Sequence, residues 1–205
     1  MSILASSTFT SDENPLSEGG VWSTQTGEGV MEKSAGVARP TGFGDDSAAN
    51  YNAVTWPDNQ YCQAVLSTDE TESDRGPALG LRMSSSANTW YRITVSHTSG
   101  GTAAISIGRF LASAFTQRGT RDTTWTDGDT FRAEITGQGA STVIKVFKNG
   151  VQVGTDLTDD ASAINSGRVG IGHGSLNLGT RADLDNWEGG DFAAATTPLM
   201  GQICM

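Results

Sequence analysis

Along most of this chain apolar and polar residues alternate with period two, in short runs separated by Gly, Asn, Asp and Ser. That period belongs to a strand with one buried and one wet face, because successive side chains point to opposite sides of a pleated backbone. The clearest case is DTFRAEITGQGASTVIKVFKNGVQVGTDL, residues 129–157. Phe131, Ala133 and Ile135 oppose Arg132, Glu134 and Thr136, and Gly137-Gln138-Gly139 turns the chain. Val143 to Lys148 is rich in β-branched residues, and Val151 to Thr155 is the returning strand. Between them Asn149-Gly150 supplies the two φ > 0 positions of a type I′ turn. Three consecutive antiparallel strands follow, with the hairpin fixing their register.

The same reading gives strands at 3–9, 21–26, 29–33, 36–39, 51–56, 60–67, 77–83, 89–97, 103–110, 167–172 and 181–188. In PALGLRM the alternation puts Leu79, Leu81 and Met83 on one side and Ala78, Gly80 and Arg82 on the other. In the 89–97 run, Trp90, Arg92, Thr94 and Ser96 oppose Tyr91, Ile93, Val95 and His97. Residues 41–50, 69–75, 117–129 and 158–166 read as loops. Roughly a dozen short strands with turn signals between them describe an all-β sandwich or barrel. No stretch carries a helical period, and no repeat is present.

Composition narrows the function more than the fold. A chain of 205 residues suits one large all-β domain and buries a core without covalent staples. The formal net charge of −10 argues against nucleic acid, whose affinity comes from Lys and Arg neutralising phosphates. Lys33, Lys145 and Lys148 are the only lysines, so there is no polybasic patch for a membrane surface. No window reaches the length of a spanning helix. Cys62 and Cys204 form neither a disulfide framework nor a zinc spacing. Cys62 sits mid-strand and reads as a small buried apolar residue, and Cys204 as a free thiol. The start, MSILASSTFTSDE, lacks the basic and apolar segments of a secretory signal. The chain is therefore expected to stay inside a cell or to leave by another route.

The order of motifs carries a resemblance. QYCQAVLS, PALGLRM and NTWYRITV are followed by Gly128-Asp129-Thr130-Phe131-Arg132-Ala133-Glu134-Ile135-Thr136-Gly137, the FKNGV hairpin, SGRVGIG and a closing DNWEGG. This succession resembles the concanavalin-A-like lectin/glucanase superfamily in its laminin-G-like branch, over about residues 3–190. The resemblance implies a two-sheet antiparallel jelly-roll sandwich, in agreement with the alternation. Its motifs are hairpins and core strands, which specify fold better than activity. Residues 1–190 are read as the lectin-like domain and 191–205 as a C-terminal extended arm. In that arm Phe192, Leu199, Met200, Ile203 and Met205 are apolar, where a solvated tail is normally polar. The arm either docks on another subunit or folds back over its own sheet edge. A lectin-like jelly roll with no signal, few lysines and an apolar arm is similar to structural proteins of tailed bacteriophages, which reach the outside by lysis.

Candidate chemistry lies in two places. Glu70, Glu72 and Asp74 alternate, and would share one face of a strand. Glucanases of the resembled superfamily set two carboxylates about 5 Å apart on one strand, in E-x-D-x-x-E or E-x-D-x-E order. Here no apolar residues interleave the acids, and Arg75-Gly76-Pro77 follows, so loop is the expected structure. The alternative use of Asp69, Glu70, Glu72 and Asp74 is a hard cation such as Ca²⁺, which takes several oxygens. The second place is aromatic. Trp56, Trp90, Tyr91, Trp125 and Trp187 are candidate sugar platforms, since a flat ring stacks on a pyranose while polar neighbours orient its hydroxyls. Trp125, exposed in a polar loop beside Asp127, is the favoured one, with Trp90 and Trp56 behind it; Trp22 and Trp187 read as core. His97 and His173 lack a nucleophile motif and read as structural.

The leading expectation is a non-enzymatic structural protein of a phage virion, a head-decoration or tail-associated subunit attached through its arm to other virion subunits or to its own copies. It is expected to need no cofactor. The rivals are a carbohydrate-binding module for cell-surface glycans, outside any virion and so extracellular or cytoplasmic, and a glycan-cleaving hydrolase using the acidic loop.

Overall fold

The computed structural model describes residues 1–42, 46–67, 76–97, 103–174 and 183–192. They form β1 (Ser2–Ser7), β2 (Trp22–Thr24), β3 (Met31–Ser34), β4 (Val37–Pro40), β5 (Ser47–Tyr51), β6 (Gln60–Ser67), β7 (Pro77–Met83), β8 (Trp90–His97), β9 (Ala103–Leu111), β10 (Ala114–Asp122), β11 (Thr130–Thr136), β12 (Val143–Lys148), β13 (Val151–Gln152), β14 (Leu157–Thr158), β15 (Arg168–His173) and β16 (Asp183–Asp191). A 3₁₀ turn at Gly139–Ser141 is the only helical element among the described residues.

The strands make two antiparallel sheets, in the expected two-sheet jelly-roll sandwich. Sheet A runs β13-β12-β11-β6-β16-β4-β3, with β1 against β16 and β14 against β12. Sheet B runs β10-β9-β8-β7-β15-β5-β2. The interior follows the alternation. Cys62, Ala64, Phe131, Ala133, Ile135, Ile144 and Val146 from sheet A meet Leu79, Leu81, Tyr91, Ile93, Val95, Ile105, Ile107 and Ile171 from sheet B in one buried cluster. Each large apolar side chain so buried contributes about 1.5–3 kcal/mol. Aromatic rings fill part of this interior: Trp187 meets Trp22 at 4.7 Å between centroids and stacks on Tyr51 at 5.4 Å. Cys62 is wholly buried, its Sγ accepting the Trp187 indole N–H at 3.0 Å, and burial pushes its thiol pKa up to about 12.

Three expectations need correction. Residues 41–50 read as a loop, yet Ser47–Tyr51 is a strand between β15 and β2. Its buried Ser-Ala-Ala-Asn sequence looks like a loop because no large apolar residue marks a core face. Tyr51 closes that strand, and no strand runs on to Trp56. The polar residues from Gln117 to Asp122 belong to β10, an edge strand mostly exposed and so without alternation. A two-residue turn with Ala112 and Ser113 both at φ > 0 feeds it, where sequence gave no Asn-Gly signal. Finally, Met83 does not share a face with Leu79 and Leu81. Met83 pairs with Arg168 and Gly80 with Gly170, so two residues of β7 oppose one of β15. This is a β-bulge, with Arg82 at φ +50°. It swings Met83 to the outer face of sheet B, where it joins Ala48, Trp90 and Phe110 in a second buried cluster.

Candidate functional site on the outer face of the seven-stranded sheet

The tryptophans expected as platforms are not exposed. Trp125 is 3% exposed, set edge-on to Phe131 at 5.3 Å with Lys148 Nζ 5.4 Å above its ring. Asp129 draws its loop inward: its carboxylate accepts the Thr126 N–H at 2.8 Å and the Asn149 amide at 2.6 Å, and pairs with Lys148 Nζ at 2.8 Å. Burial alone would raise the Asp129 pKa, but these partners hold it below the usual carboxylate value. Trp90 and Tyr91 are fully buried, and Trp56 is 9% exposed with its N–H on Tyr51 O. Asp127 alone of the expected sugar ligands is exposed. A sugar stacks only on an open ring face, so these indoles serve packing. Asp69, Glu70, Glu72 and Asp74 lie outside the described residues, as do Leu199, Met200 and Ile203. Phe192 is partly buried, its N–H donating to Asn59 O at 3.2 Å. Among the described residues no three His, Cys, Asp or Glu side chains gather as a metal site.

What the fold assembles instead lies on the outer face of sheet B, at the end where β7 turns into β8. The β8, β9 and β10 register sets Trp90, Phe110 and Phe115 in one row. Trp90 and Phe110 stack at 5.4 Å, and Phe115 is left 45% exposed. The Arg92 guanidinium lies 5.0 Å from the Phe110 ring centre and 5.2 Å from that of Phe115, and pairs with the Asp46 carboxylate. Asn88 accepts the Trp90 N–H at 2.9 Å and donates to Glu28 Oε1 at 2.8 Å. Glu28 Oε2 is buried with no hydrogen-bond partner. Burial first, and the Asp46 charge after it, push the Glu28 carboxyl above its ordinary value, with Asn88 and Arg92 partly opposing.

Beside this cluster is an open recess of about 430 Å³. Met83 and Ile164, both buried, give it an apolar base. Ser84, Ser85, Thr89, Asn165, Ser166 and Arg168 supply its polar lining. A chain of side chains positions it. Arg168 donates to Asn50 Oδ1 at 2.8 Å, Asn50 to Gln25 Oε1 at 3.1 Å, and Gln25 to the carbonyls of Ser84 and Ala87 at 3.0 and 2.8 Å. That chain fixes the guanidinium and the 84–89 turn together. Gln25 is fully buried in a stretch whose sequence suggested only a strand end. No periodicity announces such a network.

Two other polar groups are held together by internal ion pairs, with Arg109 Nε and one Arg132 Nη left without a hydrogen-bond partner. On the outer face of sheet A, Arg132 covers the Tyr61 ring at 4.0 Å and pairs with Glu134 at 2.6 Å, while Tyr61 donates to Glu188 at 3.2 Å. Burial pushes Tyr61 up to about 12 and raises Glu134 as well, with Arg132 opposing the latter. At one end of sheet B, Arg109 and Arg118 both pair with Asp159 and Asp160, and Tyr91 donates to Asp159 at 2.6 Å. These groups tie loops to sheets. His173 is buried, with Nδ1 2.6 Å from Gly174 O, as its structural reading requires.

No protein-family model matches the sequence. No curated protein matches it either. Solved structures do. A carbohydrate-binding module, CBM66, from Bacillus subtilis superposes with a TM-score of 0.60 at 15% identity, over 82% of this chain and 95% of that one. The CBM2 module of the evolved Dit protein of Lactobacillus casei BL23 phage J-1 gives 0.55 at 12%, over 91% and 94%. The fold is the concanavalin-A-like jelly roll. A β-1,3-1,4-glucanase (lichenase) from a mouse hindgut metagenome shares it, with a TM-score of 0.57 at 11% identity, over 91% and 98%. The jelly roll thus carries both sugar-binding and sugar-cleaving proteins, and the choice between them rests on side chains.

Proposed function

We propose that this protein is a non-enzymatic carbohydrate-binding module of lectin type. The observation that carries this reading is the sheet B recess. Its volume falls in the range of about 300–1,000 Å³ typical of ligand sites, and it combines an apolar base with convergent hydroxyl, amide and guanidinium groups. Phe115 offers a half-exposed ring at the edge of the neighbouring cluster. Nothing in the arrangement favours hydrolysis. Asp46 is engaged by Arg92, Glu28 by Asn88, and among the described residues no carboxylate lines the recess.

A broad oligosaccharide array tests the reading, with hydrolysis followed in parallel. Binding is expected to at least one glycan class, without cleavage, and to be lost in Ser166→Trp, which fills the recess from an exposed position. Absence of binding across the array overturns the reading. Cleavage abolished by Glu28→Gln or Glu72→Gln replaces it with the hydrolase.

The second reading, favoured by the likeness to the phage Dit module and by the apolar residues after Asp191, places this module on a phage particle. In that setting the arm attaches it to its own copies or to other virion subunits, and the module meets cell-surface glycans. The mass in solution of the full chain against one ending at Gly190 tests the arm. Assembly of the full chain alone supports it, and two monomers oppose self-assembly through the arm.

A further inference from the structure

The recess has a chemical bias that its size does not require. Every polar side chain that lines it has a hydrogen to give, the hydroxyls keeping acceptor lone pairs as well. The Ser84 hydroxyl oxygen accepts the Ser86 N–H at 3.3 Å and the Thr89 hydroxyl oxygen accepts the Ala112 N–H at 3.0 Å, so each O–H is left to donate elsewhere. Asn165 uses its carbonyl oxygen to accept the Gly139 N–H at 2.7 Å, which leaves its amide N–H groups. Ser85 and Ser166 are exposed hydroxyls. Arg168 makes one hydrogen bond, to Asn50, and has no carboxylate partner among the described residues. By contrast Arg39, Arg92, Arg109, Arg118 and Arg132 are each paired with Asp or Glu, and Arg82 and Arg121, also without a carboxylate, spend their guanidinium N–H groups on several backbone carbonyls. A chain of net charge −10 thus keeps a guanidinium with no carboxylate partner in a recess that no acid lines among the described residues.

From this we infer that the recess takes the carboxylate of an acidic sugar, a uronate-type residue within a glycan. The inference rests on the carbohydrate-binding reading and specifies its ligand class. A guanidinium presents parallel N–H groups that fit a carboxylate's two oxygens. The hydroxyls and the Asn165 amide are left for the sugar's ring and hydroxyl oxygens, and Met83 with Ile164 for its apolar face. The buried Asn50–Gln25 chain holds Arg168 in place before the ligand arrives, which lowers the ordering cost of binding.

The experiment is a calorimetric titration of the full chain with oligoglucuronate, oligogalacturonate, their neutral oligoglucose and oligogalactose counterparts, a sulfated oligosaccharide and inorganic phosphate. Binding of at least one uronate series, weakened by salt, is expected. Arg168→Gln should weaken it by about tenfold or more, the loss of one charge-assisted contact. Arg168→Lys should retain part of it. Ser166→Glu, an exposed change that adds a carboxylate at the rim, should abolish it with the thermal unfolding temperature unchanged. Equal affinity for the neutral series, or loss in Arg168→Gln of neutral binding alone, overturns the acidic-sugar assignment while leaving the carbohydrate-binding reading intact. Tighter binding of the sulfated chain or of phosphate overturns it in favour of a general anion site. No binding to any oligosaccharide overturns both readings.

Discussion

Arg82 is where the alternation of β7 breaks, and its surroundings show why. The guanidinium is fully buried, and no carboxylate is among its hydrogen-bond partners. It donates instead to the carbonyls of Asp58, Ile164 and Gly137 at 2.5–3.1 Å, while its backbone N–H donates to Gln60. One side chain thereby joins the 57–59, 137–142 and 163–165 segments. Arg82→Met should cost about 3 kcal/mol or more in urea unfolding, because buried carbonyls left bare cost about 1–3 kcal/mol each. A loss below about 1 kcal/mol would mean water replaces the guanidinium. Glu28 gives a prediction in pH. Its folded pKa is raised, so its stabilising contribution is complete below the unfolded value and is lost as pH rises through the folded value. Glu28→Gln should therefore equal the wild type in acid and match or exceed it at neutral pH. Thermal unfolding at several pH values checks this, and a variant less stable at neutral pH than in acid relative to wild type contradicts it.

At the scale of elements, the backbone register decides what the side chains can do. Gly170 faces β5 and β7 at once, and a Cβ there would run into Ala49 O and Met83 Sδ. At Gly80 it would meet only the Met83 side chain, which is flexible. Gly170→Ala should therefore lose about 1–3 kcal/mol and disturb the recess through Met83, with Gly80→Ala the milder of the two in the same unfolding assay. Equal losses would mean that the β15–β5 spacing relaxes freely. The elements legible in the sequence were those whose two faces differ. β6, β11 and β12 bury mainly one side, and β8 sets large apolar residues on its inner face against mostly polar ones on its outer face, so their period is legible. β5 is small on both faces and β10 is wet along most of its length, so neither carried a period to read. The turn at Ala112-Ser113 is imposed by pairing rather than by residue type, and the bulge at Arg82 reassigns Met83 in a way alternation cannot foresee. Because the recess rests on that bulge and on Gln25–Asn50–Arg168, residues far apart in the chain, it was not legible. The tryptophans are large rings in polar surroundings of sequence, yet their apolar area is used in packing.

For the molecule as a whole, a two-sheet sandwich leaves two outer faces, and they differ in kind. On the outer face of sheet A, Tyr61, Arg132, Glu134 and Glu188 are engaged with one another. That of sheet B holds a recess lined by Arg168, Asn165 and four hydroxyls, in a protein that is otherwise acidic. The overall charge repels most acidic polymers at long range, so recognition of an acidic sugar would be local and strongly dependent on salt. The central claim is that glycan binding occurs at the sheet B recess. Amide chemical-shift mapping of isotope-labelled protein titrated with an acidic oligosaccharide tests it most directly. The account predicts shifts concentrated at residues 83–89 and 164–168. Shifts centred instead on the 123–129 loop around Trp125, or on the outer face of sheet A, would contradict it.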